Sequence, residues 1–149
     1  MSNFRLNLSA RLAKSMKDFK SAWKSNSTKI SKPWGDETIW SSMTNGVRGK
    51  ILHIRAGERT SLKYFPLKNE TLFMLAGKAE VYYGDEASLV DEANHPFVRA
   101  PFVPGDALHV QSGCPYRIIA IEDCQIIEIS SHSNEDPIRI EDDYDRQRY

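Results

Sequence analysis

Cationic side chains with the chemistry to hold an anion recur in the middle of the chain. Four of them are Arg55, Lys63, Lys68 and Arg117. Arginine and lysine form charge-assisted hydrogen bonds with phosphate and carboxylate, so a convergent set predicts a site for a small anionic molecule. The alternative is that two or three of them lie on solvated strand faces. Both interpretations are open at this stage.

Metal-ligating residues are few. The chain has four histidines and two cysteines. His109 and Cys114 are five residues apart, and this spacing alone is weak evidence for zinc, because a zinc ribbon or redox motif has paired cysteines. His95 and His132 lie in polar segments and are expected to be solvated. Cys114 and Cys124 are expected to be reduced thiols, which is typical of a cytoplasmic protein.

Composition narrows the class of protein. Lys plus Arg and Asp plus Glu each number 20 among 149 residues, and 40% of the residues are hydrophobic. This content is enough for one core and excludes a disordered chain. A net charge of zero argues against a nucleic-acid partner or an anionic membrane surface. Apolar runs such as Ile118 to Ile121 are far shorter than the roughly 18 residues that a membrane span needs.

The elements that must position these residues are short β-strands. From Lys32 onward the chain shows period-two alternation, β-branched and aromatic residues, and breaks at Gly and Pro. This pattern predicts an all-β barrel or sandwich. The predicted strands are Glu37–Met43, Val47–Arg55, Ser61–Phe65, Thr71–Leu75, Ala79–Tyr83, Phe97–Val103, Ala107–Gln111, Tyr116–Ile121 and Cys124–Ser130.

The first part of the chain has a different pattern. Leu8, Leu12, Met16, Phe19 and Trp23 recur at helical spacing opposite a row of lysines, which predicts one amphipathic helix. We therefore divide the chain into a basic helix and linker at 1–31 and a barrel domain at 32–149. The helix is expected to pack on the barrel or on a second subunit. A membrane-surface or targeting role is the alternative.

Two motifs carry a resemblance to the cupin superfamily. The first runs from Gly57 through Lys63, Phe65 and Glu70 to Gly77, and the second is the sequence PGDALH, which ends at His109. The resemblance implies a cupin double-stranded β-helix, which is a jelly-roll barrel.

A narrower resemblance covers residues 32 to 146. The chain resembles the C-terminal isomerase domain of the type II mannose-6-phosphate isomerases, which also carry a mannose-1-phosphate guanylyltransferase domain. The matches are the sequence KPWG at residues 32–35, Ala56, Gly57, Ser61, Leu62, Glu70, Gly77, Pro104, His109, Glu128 and the acidic ending from Ile138 to Arg146. The guanylyltransferase domain is absent from this sequence.

The chain departs from that family at the metal ligands. Where the family has the pattern SLQxHxHRxE, residues 61–70 read SLKYFPLKNE. Of the four implied ligand positions, only Glu70 and His109 keep ligand chemistry, whereas a catalytic zinc needs three protein ligands. We therefore expect no cofactor. A divalent metal such as zinc, if held, would use Glu70, His109 and the displaced ligand His53. Lys63 is expected to face Glu70 and replace the lost cation.

The resemblance implies a stand-alone cupin that binds a phosphorylated sugar or sugar nucleotide in the barrel. Its metal-dependent isomerase activity is in question because of the altered ligand positions. One alternative is a non-catalytic binding or assembly module. The other is a metal-free epimerase or ketoisomerase in which His109, Glu70 and Lys63 form the catalytic set. The substrate-binding residues are predicted to be Ser61, Lys68, Arg55, Arg117 and Tyr116. A homodimer in the cytoplasm is expected by analogy with cupins.

Overall fold

The computed structural model describes residues 20–41, 46–131 and 135–146. These ranges contain eleven β-strands in two antiparallel sheets. The first sheet has the order β1-β2-β3-β10-β5-β8 and the second has the order β11-β4-β9-β6-β7. The strands are β1 (Thr28–Lys32), β2 (Gly35–Ile39), β3 (Val47–Ile54), β4 (Leu62–Tyr64), β5 (Glu70–Ala76), β6 (Ala79–Tyr83), β7 (Val98–Phe102), β8 (Ala107–Val110), β9 (Tyr116–Ala120), β10 (Cys124–Ser131) and β11 (Ile138–Glu141).

The core lies between the two sheets. Successive strand side chains point to opposite faces, so each strand with alternating apolar residues buries one face. The first sheet contributes Ile54, Leu72 and Ile126, and the second contributes Phe102 and Ile118. All five are almost completely buried. The sequence prediction of an all-β barrel is confirmed, and each of the nine predicted strands overlaps a strand of the structure.

Two strands, β1 and β11, were not predicted from the sequence. β1 is an edge strand that pairs only with β2, and it is largely exposed. β11 is a short edge strand that pairs with β4. Neither strand shows an alternation of buried and exposed residues. Each is an edge strand that is held in place by pairing with one other strand. β1 also begins at Thr28, on the N-terminal side of the predicted boundary at Lys32.

Most of the predicted N-terminal helix lies outside the described residues. Trp23, the last residue of the predicted apolar stripe, lies within the described residues and is 59% exposed. Residues 20–27 form no helix, so the predicted helical stripe does not extend to Trp23. The acidic loop between β6 and β7 contains a short 3-10 helix, Glu86–Leu89. In the described ranges, no helix has the length and apolar character that crossing a membrane requires.

The backbone conformation at position 77 explains why the first motif ends in a glycine, Gly77. It joins β5 to β6 with a φ of +93°, a conformation that residues with a side chain rarely adopt. A Cβ atom at this position would also lie 2.1 Å from the carbonyl oxygen of Asp123. The turn therefore packs against the backbone at the start of β10, where only glycine fits.

Candidate anion-binding cavity

A cavity of about 270 Å³ opens between the two sheets. Its walls include Trp34, Ser61 and Phe65, which are buried. Basic side chains outnumber acidic ones around it. The basic residues are Lys32, Arg48, Lys50, Lys63, Lys68, Arg139 and Arg146, and the acidic residues are Glu37, Glu70, Glu128, Glu135 and Asp136.

Strand pairing brings the innermost charged residues together. Lys50 of β3 lies directly opposite Glu128 of β10, and directly paired residues of an antiparallel sheet share a face. Glu70 is the first residue of β5 and pairs with Ser130 of β10. Tyr116, the first residue of β9, enters the same cavity from the second sheet.

Five of these side chains form a buried ionic chain, which runs Glu70, Lys68, Glu128, Lys50, Glu37. The Lys68 Nζ atom lies 2.5 Å from Glu70 Oε1 and 3.6 Å from Glu128 Oε1. The Lys50 Nζ atom lies 3.7 Å from Glu128 Oε1 and 3.2 Å from Glu37 Oε2. Each ammonium thus bridges two carboxylates, which offsets the cost of removing these charges from water.

The two central carboxyl groups have opposite pKa shifts. Burial alone would raise the pKa of Glu70, but the ammonium groups of Lys63 and Lys68 lower it below its ordinary value. Tyr116 also donates a hydrogen bond to Glu70 Oε2. Burial raises the pKa of Glu128, and the neighbouring Glu70 adds to this effect. Glu128 Oε1 is buried without a hydrogen-bond partner in the part of the chain that the structure describes.

Lys63 and Tyr116 lie next to the ionic chain. The Lys63 Nζ atom is 4.7 Å from the centre of the Tyr116 ring. Burial lowers the pKa of Lys63, and the nearby Lys68 adds to this effect against the attraction of Glu70. Burial and the Glu70 carboxylate raise the pKa of Tyr116 well above its ordinary value. The Tyr116 hydroxyl therefore stays protonated and serves as a donor to Glu70.

The structure corrects part of the role expected of Lys63, which lines the same cavity as Glu70 and lowers the Glu70 pKa but does not form its ion pair. The ammonium group that pairs with Glu70 belongs to Lys68, and Lys63 makes no ion pair with a carboxylate in the described ranges. Lys68 and Glu70 are two residues apart in an extended segment, so both side chains point inward while Asn69 between them is exposed. Lys68 was predicted to bind substrate directly, but its ammonium is already engaged by two carboxylates.

His109 does not join this cavity. It lies on the exposed face of β8, where its Nδ1 atom is 3.2 Å from Thr71 Oγ1. Val110, and not His109, is paired with Glu70. A shift of one residue moves a strand side chain to the opposite face of the sheet. The expected convergence of His109 with Lys63 and Glu70 is therefore wrong.

His53 and Arg55 are also outside the cavity. The His53 Nδ1 atom lies 2.7 Å from Asp36 Oδ1. Arg55 is exposed and donates a hydrogen bond of 2.5 Å to the Pro33 carbonyl. Both residues line a separate surface depression. The structure therefore does not bring His53 towards Glu70, as the displaced-ligand hypothesis required.

The cavity residues do not fit the metal that the cupin resemblance implies. Phe65 has no ligand atom, and the Lys68 ammonium lies at 2.5 Å from Glu70, where a metal ion bound to that carboxylate would lie. No three His, Cys, Asp or Glu side chains cluster in a way that could hold a metal ion within residues 20–41, 46–131 and 135–146. We assign no step to a metal, and the absence of a cofactor stays a prediction.

Arg117 is buried but lies behind the cavity wall. Its Nε atom donates to the Thr60 carbonyl at 3.1 Å, and its Nη1 atom donates to Glu141 Oε2 at 3.2 Å. Glu141 is the last residue of β11. Arg117, which was predicted to bind substrate, therefore helps to hold β11 against the second sheet.

Three residues of the cavity, Lys50, Glu37 and Arg139, were not predicted from the sequence. Lys50 could have been found, because period-two alternation places it on the same strand face as Leu52 and Ile54. Arg139 could not, because β11 was not predicted. In the structure Arg139 pairs directly with Lys63. Its Nε atom is buried and has no hydrogen-bond partner among the described residues.

Comparison with known proteins shows the fold. The solved structures that match include the capsular polysaccharide assembling protein CapF from Staphylococcus aureus, with a TM-score of 0.65 and 12% identity over 86% of this chain and 34% of that one. The chain thus spans about a third of the CapF chain. KdgF from Halomonas sp. has a TM-score of 0.59 and 16% identity over 72% of this chain and 89% of KdgF.

A third match is oxalate decarboxylase from Lactobacillus farciminis in a formate complex, with a TM-score of 0.65 and 16% identity over 85% of this chain and 39% of that one. These neighbours are cupin barrels, and the present chain has the cupin fold. No protein-family model matches the sequence, and the search of curated proteins finds no significant match. The narrower resemblance to type II mannose-6-phosphate isomerases stays a prediction.

Proposed function

We propose that this cupin-fold protein binds a small anionic carbohydrate, either a phosphorylated sugar or the sugar end of a sugar nucleotide, in the cavity between its sheets. The observation that carries the proposal is the strand register that places Lys63 of β4 directly opposite Arg139 of β11. Both side chains line the cavity. When both groups are protonated, like charges directly opposite each other repel, and an anion between them would relieve that repulsion.

Arg139 is the stronger of the two donors. A guanidinium group remains charged at any pH at which the protein is folded, and it presents donors that match two oxygens of a phosphate or carboxylate. The buried Nε atom of Arg139, which lacks a partner in the described chain, is suited to such an acceptor. The excess of basic over acidic residues around the cavity favours the same kind of ligand.

The size of the cavity limits the ligand. Pockets for small molecules generally enclose about 300–1,000 Å³, and this cavity of about 270 Å³ is slightly smaller than that range. That volume suits a monosaccharide phosphate. A sugar nucleotide would place its sugar in the cavity and its base outside. Trp34 and Phe65 supply apolar surface against which a sugar ring can pack.

Metal-free proton transfer is the second candidate activity. It is favoured by the Glu70 carboxylate, which Tyr116 positions inside the cavity through a hydrogen bond and which can act as a base toward a bound ligand. His109 is no longer its base, because that residue lies on the outer face. A binding module without turnover, a homodimeric state and a cytoplasmic location also remain predictions from the sequence.

The test is calorimetric titration of the purified protein with mannose 6-phosphate and with mannose. We expect the phosphorylated sugar to bind and the neutral sugar not to bind. Arg139→Gln should weaken binding by about tenfold or more, because a hydrogen bond to a charged group contributes about 1.5–3 kcal/mol.

The matched control for this titration is Arg99→Gln. Arg99 is an exposed arginine that pairs with Glu80 outside the cavity, so this variant should bind mannose 6-phosphate as the unmodified protein does. Equal affinity in the Arg139→Gln variant and the unmodified protein would contradict the proposal. So would the absence of binding to both sugars.

A further inference from the structure

Four lysines of the described chain line the cavity, and Lys63 differs from the other three in its ion pairing. Lys68 pairs with Glu70 at 2.5 Å and Lys50 with Glu37 at 3.2 Å. Lys32 reaches the same Glu37 at 3.6 Å. Lys63 makes no ion pair in the described ranges, although it lines the cavity with the others.

The surroundings of Lys63 favour the neutral amine. Burial and the nearby Lys68 lower the pKa of Lys63 by more than the carboxylates of Glu70 and Glu128 raise it. Arg139 lies directly opposite Lys63 on the neighbouring strand. Protein surrounds the side chain, yet Lys63 is only half-buried by surface area because it borders the open cavity. A ligand that enters the cavity can therefore reach this amine. Only the neutral amine attacks a carbonyl carbon, and desolvation beside other cations is a known means of activating a lysine.

We propose that Lys63 is a nucleophilic amine that forms a reversible imine with the carbonyl group of an anionic open-chain sugar. This inference rests on the proposed function, because Arg139 is the group that would hold the anionic end of the ligand. It specifies the substrate class further, since the ligand must present an aldehyde or ketone to the Lys63 Nζ atom.

The reaction balances without an oxidant or a reductant. The neutral Lys63 nitrogen donates its electron pair to the carbonyl carbon, and one of the two amine protons is transferred to the carbonyl oxygen to give a carbinolamine. The hydroxyl group then takes up a proton and leaves as water, the nitrogen electron pair forms the C=N bond, and the second nitrogen proton is released to replace the one that was taken up. Glu128, whose pKa is raised by burial, is the cavity acid best suited to protonate the leaving hydroxyl. The products are one imine and one water.

The probe for this step is glyceraldehyde 3-phosphate with sodium cyanoborohydride, which reduces an imine to a stable secondary amine. Peptide mapping by mass spectrometry should place the adduct on Lys63, with the mass of one probe less one water plus two hydrogens. Burial lowers the pKa of Lys63, and the cavity would hold the probe next to its amine, which raises the effective concentration of the carbonyl there. We therefore expect labelling of Lys63 to exceed that of the exposed Lys78 by about tenfold.

Two variants control this experiment. Lys63→Arg keeps a cation in the cavity but cannot form the imine, so it should bind the probe and lose the adduct. Lys78→Met should keep the Lys63 adduct unchanged. Labelling of Lys50 or Lys68 at the level of Lys63, or an undiminished cavity adduct in Lys63→Arg, would overturn the proposal.

A second ligand separates failure of this inference from failure of the proposed function. Glycerol 3-phosphate has the same anionic group and no carbonyl, and its binding is measured by calorimetry. If it binds and Lys63 is not labelled by glyceraldehyde 3-phosphate, the nucleophilic role of Lys63 is wrong and the anion site stands. If neither compound binds, the anion site is wrong for sugar phosphates, and the imine proposal fails with it.

Discussion

The Glu70→Gln substitution removes one charge from the ionic chain with little change in side-chain volume. The Lys68 Nζ atom lies 2.5 Å from Glu70 Oε1, and at an effective dielectric constant of about 20 the attraction between two unit charges at that distance is about 7 kcal/mol. Desolvation of both groups offsets much of this attraction. Removal of one partner, however, leaves the other buried and uncompensated, which typically costs about 3–5 kcal/mol.

We expect the loss of unfolding free energy to be at the lower end of that range, about 3 kcal/mol. The reason is that Glu128 Oε1 remains 3.6 Å from Lys68 Nζ. For a chain of this size the loss corresponds to a decrease in Tm of about 9 °C. Urea unfolding near pH 7.5, followed by circular dichroism, measures the free-energy difference directly.

The control for Glu70 is Glu80→Gln, which removes the half-buried partner of the exposed Arg99 and should cost less than about 1 kcal/mol. The double variant Lys68→Met with Glu70→Gln should cost about 2 kcal/mol less than the sum of the single variants, because it leaves no unpaired charge at that position. If Glu70→Gln costs under about 1 kcal/mol and shows no coupling to Lys68, the ionic chain does not stabilise the fold as argued.

The pH dependence of the Glu70 contribution follows from its lowered pKa. Its stabilising contribution is fully present above the ordinary carboxyl pKa of 4.5 and is lost as the pH falls through the lower folded-state value. The difference between the unmodified protein and Glu70→Gln should therefore be largest at neutral pH and shrink below about pH 4. A difference that is independent of pH would contradict the assignment of a charged Glu70.

Two further predictions concern the same cavity. Glu128 has a raised pKa, so its ionised form carries an energetic penalty at neutral pH that is absent below its unfolded-state pKa. In urea unfolding from pH 4 to 8, Glu128→Gln should therefore gain stability relative to the unmodified protein as the pH rises. The opposite trend would show that Glu128 is stabilised as a carboxylate. The second prediction concerns metal binding, since Lys68 faces Glu70 where a metal would lie and His109 points outward. Elemental analysis of the purified protein should find no stoichiometric zinc, manganese or iron, and EDTA should leave Tm unchanged. One tightly bound metal per chain would refute this.

The sequence by itself determined the fold class and nine of the eleven strands in the described ranges. Period-two alternation depends only on which residues are apolar, so it located β3, β6 and β10 and predicted the barrel. The resemblance to cupins, and not the alternation, implied that Glu70 and Ser61 belong to the cavity. Lys50 carried the signal of alternation, since it shares a strand face with Leu52 and Ile54. That alternation predicts that Lys50 faces the cavity.

Only the tertiary structure decided which charged groups meet. The sequence shows Lys63 and Lys68 as similar candidates for pairing with Glu70, and the choice between them depends on the path of the loop between β4 and β5. The side of β8 on which His109 lies depends on its register with β5, since one residue of shift exchanges the two faces. The pairing of Arg139 with Lys63 joins segments that are far apart in the chain, and no local pattern records a contact that forms only when β11 docks against β4.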